Sequence, residues 1–74
     1  MAYKVGRCLL QEILDRQGMD QTYVAGKLQV TRQQINKYIM NRQRMSLETA
    51  KNIAAIVHCA IEDLYEWIEV GENE

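Results

Sequence analysis

Apolar residues recur along most of this chain at intervals of three and four, the spacing that gathers side chains onto one face of an α-helix. Over residues 5–17, Leu9, Leu10, Ile13 and Leu14 make such a stripe, and Gly18 then supplies the left-handed backbone on which a helix stops. Asp20 is placed to cap a second helix over residues 21–28, with Val24 and Leu28 one turn apart on its inner face and small Ala25 between them. Val30 is expected to plug the turn that follows. Thr31 caps a third helix over residues 32–40, where Gln34 completes a capping-box pattern and Ile35, Tyr38 and Ile39 are buried. Asn41 tolerates the left-handed position that ends it. Ser46 caps a fourth helix over residues 47–57, with Leu47, Ala50, Ile53, Ala54 and Val57 facing inward. A fifth, over residues 61–69, would bury Ile61, Leu64, Tyr65 and Ile68. Trp67 misses that stripe and falls nearer the line of Asp63 and Val70, so it covers a gap or meets another chain.

Composition narrows the fold class to all-α. The chain has 74 residues, 47% of them hydrophobic, and no proline, which suits one compact five-helix bundle with short connections. Ile, Val and Tyr offer strand propensity, but none alternates over a long run. Residues 1–70 are expected to form the domain and 71–74 a disordered acidic tail. The longest apolar run near the N-terminus is Cys8, Leu9 and Leu10, too short for a signal-peptide core or a membrane span, so a cytoplasmic protein is expected. Cys8 and Cys59 read as small buried hydrophobes. A zinc site would need two more ligands where only His58 is at hand, so neither a metal nor a cofactor is implied.

Charge changes the picture more than composition does. The net charge is −1, yet from Gln21 to Leu47 there is no acidic residue, while Lys27, Arg32, Lys37, Arg42 and Arg44 all lie there. Beyond Ala60 the sign reverses, with Glu62, Asp63, Glu66, Glu69, Glu72 and Glu74 and no Lys or Arg. One end is suited to phosphate and the other is not. The second and third helices form a helix-turn-helix, whose second helix is presented to the major groove. Its exposed face carries Arg32, Gln33, Asn36 and Lys37 with Gln34 at the edge, residue types that pair with the edges of guanine and adenine. A hydrated helix face would also be polar, but a merely soluble one would include Glu or Asp.

In this order, with LLQEILDRQGMDQ, the VA of the second helix, VTRQQINKY, and MSLETAKNIA followed by IEDLYEW, the chain resembles the Cro/repressor-like (XRE-type) helix-turn-helix family over roughly residues 7–67. The resemblance implies a lambda-repressor-like domain. It also implies that Gln21 braces a phosphate and the first reading residues, that Arg32, Gln33 and Lys37 contact bases, and that the loop after the third helix contacts backbone. The full expected DNA-binding set is Gln21, Thr31, Arg32, Gln33, Gln34, Asn36, Lys37, Asn41, Arg42 and Arg44. Three positions depart from the family pattern. Gln29 stands where a turn glycine is frequent, at a cost of about 1 kcal/mol if it is left-handed. His58 replaces a helix-ending glycine, and Ala60 replaces a Ser cap.

These features lead to a sequence-specific regulator that represses by occupying a pseudo-palindromic operator as a homodimer, with Trp67 and Val70 near the two-fold axis. The alternative is a helix-turn-helix that binds protein instead, such as an antitoxin or the partner of an anti-repressor. An enzyme is disfavoured, because no glycine-rich phosphate loop and no nucleophile–base pair can be nominated.

Overall fold

The computed structural model describes residues 2–71. Four helices form, α1 Leu10–Gln17, α2 Gln21–Leu28, α3 Arg32–Ile39 and α4 Leu47–Ile56. Before them runs a strand, β1 Ala2–Cys8, and after them one 3-10 turn, Ile61–Leu64, opens into a second strand, β2 Tyr65–Val70. The expected all-α five-helix bundle is therefore corrected: the described residues form four helices and a two-stranded antiparallel sheet.

Local chemistry accounts for the helices. Asp20 Oδ1 accepts from Tyr23 N at 2.8 Å, Thr31 Oγ1 from Gln34 N at 3.1 Å and Ser46 Oγ from Thr49 N at 3.1 Å, each satisfying an amide that the first turn leaves free. The stops are equally uniform. Gly18, Gln29, Asn41 and His58 lie at φ between 60 and 69°, one left-handed residue after each helix. Gln29 and His58 thus do glycine's work without being glycine, and each carries strain of about 1 kcal/mol.

No such stop or cap supports the expected fifth helix. Ala60 has no side-chain oxygen, and only Asp63 acts there, its Oδ2 accepting from Ala60 N at 3.1 Å, so the helix makes a single 3-10 turn. Tyr65, Trp67, Ile68 and Val70 then favour extended backbone, and β1 supplies the partner. The register is Ala2 to Val70, Tyr3 to Glu69, Lys4 to Ile68, Val5 to Trp67 and Cys8 to Tyr65. Between the last two pairs, Gly6 and Arg7 stand against Glu66 alone, which makes a β-bulge. Residues 5–8, expected in the first helix, belong to this strand.

The ribbon is fastened to the helices at its base. Cys8 N donates to Asn41 Oδ1 at 2.9 Å, Leu9 N to Leu64 O at 2.7 Å, and Met45 N to the Tyr65 hydroxyl at 3.2 Å. Arg7 reaches Glu12 at 2.8 Å and Glu66 at 3.4 Å, and its hydrogen bond holds the Glu12 carboxyl below the usual range. Cys8 and Tyr65 enter one core with Leu10, Ile13, Leu14, Val24, Ala25, Ile35, Tyr38, Ala50, Ile53, Ala54, Val57 and Leu64. Burial pushes the Cys8 thiol up, which keeps it a neutral packing group. The free end of the ribbon leaves the body, and the molecule measures 44 × 21 × 19 Å.

Three core assignments change with the fold. Leu47 is 76% exposed, because its place at the first position of α4 lies beyond the core. Ile68 is 43% exposed on the ribbon, and Val30 is partly exposed at the turn it was expected to plug. Of the expected tail, Gly71 is exposed and residues 72–74 lie outside the described residues.

A Cβ added at Gly6 would sit 2.8 Å from the Glu66 Cβ, too close for either strand to keep its path. Gly6→Ala is expected to lower stability by about 1 to 3 kcal/mol through this overpacking, measured by urea unfolding. Helical content, followed by circular dichroism, should stay unchanged because the clash is confined to the ribbon.

Candidate nucleic-acid interface

Helix α3 is held by its buried side. Ile35 is fully buried and Tyr38 nearly so, against Val24 and Ala25 of α2 in the same cluster. With that face fixed, Arg32, Gln33 and Lys37 must point outward, and all three are exposed. Asn36 is half-buried beside them. Gln21, the first residue of α2, joins Arg32, Gln33 and Asn36 around one open concavity of about 430 Å³ at the start of α3. Four of the expected site residues are thus brought together from two helices.

The remaining members hold other places. Thr31 serves as the cap described above. Gln34, half-buried, does not close the reciprocal half of the capping box; its Nε2 donates instead to Gln43 Oε1 at 3.1 Å and ties α3 to the loop that follows. In that loop Arg42 and Arg44 are exposed, and among the described residues neither forms an ion pair. Arg42 N donates to Lys37 O at 2.9 Å, so the loop leaves the end of α3 on a fixed path. Asn41 stands apart: its side-chain oxygen is engaged by Cys8 N and anchors the ribbon. Sequence reasoning passed over Gln43 and Gln11, whose side chains steady Gln34 and Gln21. Gln11 lies one turn before Asp15, an (i, i+4) spacing that could have signalled it.

Charge is segregated as this arrangement requires. The acid-free stretch from Gln21 to Leu47 folds into α2, α3 and their loops, while Glu62, Asp63, Glu66 and Glu69 fall on the 3-10 turn and β2. An exposed polar helix that carries cations and no carboxylate is chemistry for a phosphate-lined groove.

Comparison with known proteins agrees. Residues 9–69 match the family model of the Cro/C1-type HTH DNA-binding domain. The chain belongs to that family. Its members bind DNA, and the family is not one of enzymes. Among curated relatives, the SPbeta prophage-derived HTH-type transcriptional regulator YopS of Bacillus subtilis (strain 168) is 32% identical over 65 residues, which cover 86% of this chain and 88% of YopS. Among solved structures, a transcriptional regulator from Listeria innocua superposes with a TM-score of 0.69 at 18% identity and shares the fold. The match covers 88% of this chain and 61% of that one. Among the described residues, no helix is long and apolar enough to cross a membrane.

Trp67 and Val70 need a different description from the one their spacing suggested. Three residues apart on a helix they would share a face, whereas on β2 they point to opposite sides of the ribbon. Trp67 lies with Tyr3, Val5 and Glu69, its Nε1 donating to Glu62 O at 2.9 Å, and Val70 lies with Ala2, Lys4 and Ile68.

The exposed loop arginines generate a salt prediction. Arg42→Ala should weaken binding to all DNA sequences alike and reduce the slope of log affinity against log salt by about 1 per protomer, since each neutralised phosphate contributes roughly −0.9. Fluorescence anisotropy across a salt series on a random duplex reads the slope. An unchanged slope would place Arg42 away from phosphate.

Proposed function

We propose that the protein is a sequence-specific transcriptional regulator that acts in the cytoplasm and represses by occupying operator DNA. The observation that carries this reading is the concavity at the start of α3, where Gln21, Arg32, Gln33 and Asn36 converge with no carboxylate among them. Gln33 and Lys37 are one turn apart on exposed helix and reach base edges in one half-site. Arg42 and Arg44 lie along the phosphate backbone, fixing register and orientation without reading sequence. The transcriptional role of YopS, a relative of nearly the same length, supports the regulatory part of the proposal.

A single reading helix touches few base pairs, so the protein binds as a homodimer to a pseudo-palindrome whose half-sites lie about 10 base pairs, roughly 34 Å, apart. The ribbon is the surface proposed to join the two copies. It projects from the helical body, its acidic strand lies outside the acid-free stretch, and it exposes Tyr3, Trp67 and Ile68. The same aromatic surface is open to a protein that relieves repression, such as an anti-repressor.

Selection of bound sequences from random DNA at one fixed salt concentration tests the proposal. It should recover a two-fold related motif, and recovery of no enriched sequence would overturn sequence-specific regulation. On the recovered site, Gln33→Ala should cost about 1 to 3 kcal/mol, far less on random DNA, and relax preference at one position of each half-site. Trp67→Lys should give a folded monomer with weakened operator binding. Wild-type protein that stays monomeric by light scattering, both free and on its operator, would contradict the dimer.

A further inference from the structure

Gln21 forms part of two adjoining concavities. One is the reading concavity with Arg32, Gln33 and Asn36, and the other is shared with Gln11 and Asp15 of α1. Across the second, Gln21 Nε2 donates to Gln11 Oε1 at 3.1 Å, and Gln11 Nε2 donates to Asp15 Oδ1 at 2.8 Å. The order of these bonds has a direction. An ionised carboxylate can only accept, so Asp15 draws the nitrogen of Gln11 and leaves the Gln11 oxygen facing α2. That oxygen in turn draws the nitrogen of Gln21. The Gln21 oxygen is buried and has no hydrogen-bond partner among the described residues.

A buried acceptor without a donor is rare enough to need a reason, and here the reason lies in its neighbours. Arg32, Gln33 and Asn36, the other residues around the reading concavity, all carry N–H groups. We propose that Gln11, locked by Asp15, is a positioning residue for DNA recognition: it fixes the amide of Gln21 so that an oxygen, rather than a nitrogen, awaits the N–H groups of α3. When α3 docks, those groups close onto a fixed acceptor and lose the freedom to present alternative donors to the bases. Asp15 and Gln11 touch no DNA in this arrangement. They set the polarity of a side chain that supports the reading face, and the inference rests on α3 being the reading element.

Two substitutions at position 11 separate this role from simple charge effects. Gln11→Glu keeps an acceptor for Gln21 while adding a negative charge. Gln11→Lys keeps a link to Asp15, and so the helix, but offers only donors and reverses the Gln21 amide. Charge alone predicts that Lys strengthens and Glu weakens binding to every DNA. The relay predicts a change in the ratio of operator to random-DNA affinity, an about tenfold fall for Gln11→Lys and a change within about twofold for Gln11→Glu. A ratio unchanged in Gln11→Lys, or lowered equally in both variants, overturns the proposal.

Nuclear magnetic resonance of the free, 15N-labelled protein supplies a readout that needs no DNA. The side-chain amide signals of Gln21 should move in Gln11→Lys and stay near their wild-type positions in Gln11→Glu. Signals that move in neither variant show that the relay is not formed, and the inference falls. Gln33→Ala is the control for the reading element itself. If it leaves the operator ratio unchanged, the reading of α3 fails, and the Gln21 signals alone then decide whether Gln11 orients that side chain.

Discussion

The packing of α3 against α2 is the constraint on which the rest of the molecule depends. Val24, Ala25, Ile35 and Tyr38 are buried together, and burial of a side chain the size of valine or isoleucine contributes about 1.5 to 3 kcal/mol. Because the period of a helix is fixed, burying Ile35 and Tyr38 leaves Arg32, Gln33 and Lys37 no direction but outward. That exposed face is therefore a by-product of the core. The exit loop is held in the same way, through Gln34 and Gln43 on one side and Asn41 and Cys8 on the other.

Charge then divides along the molecule. Helices α2 and α3 carry no acidic residue, while the ribbon carries Glu66 and Glu69 and exposes Tyr3 and Trp67. Three side-chain-assisted contacts at the base of the ribbon, from Asn41, Tyr65 and Arg7, join the two regions. Burial pushes the Tyr65 hydroxyl up, so it stays neutral while accepting from Met45 N.

Most of the helical architecture was legible in the sequence because its signals are local. Asp20, Thr31 and Ser46 cap where their side chains predict, and Gly18 and Asn41 stop helices where left-handed backbone is needed. The fifth helix misled because Ile61, Leu64, Tyr65 and Ile68 keep helical spacing by coincidence. What overrides that spacing is pairing with Ala2–Cys8, a partner about sixty residues away that no local window contains. The bulge at Gly6 and Arg7 hides the alternation of β1 as well, since it shifts the side chains by one position. At the candidate site, residue types and the exposed face could be read directly. The links from Gln21 to Gln11 and from Gln34 to Gln43 could not, because they depend on which way each amide is turned.

The central claim is that α3 and the loop after it form the DNA-reading surface, with the ribbon outside it. Titration of 15N-labelled protein with a duplex carrying the selected site tests this most directly, through the backbone amide shifts. The account predicts the largest changes at Gln21, from Arg32 to Lys37, and at Arg42 and Arg44, all in one saturable step. Amides of α3 that stay in place while those of the ribbon and α1 move would contradict it.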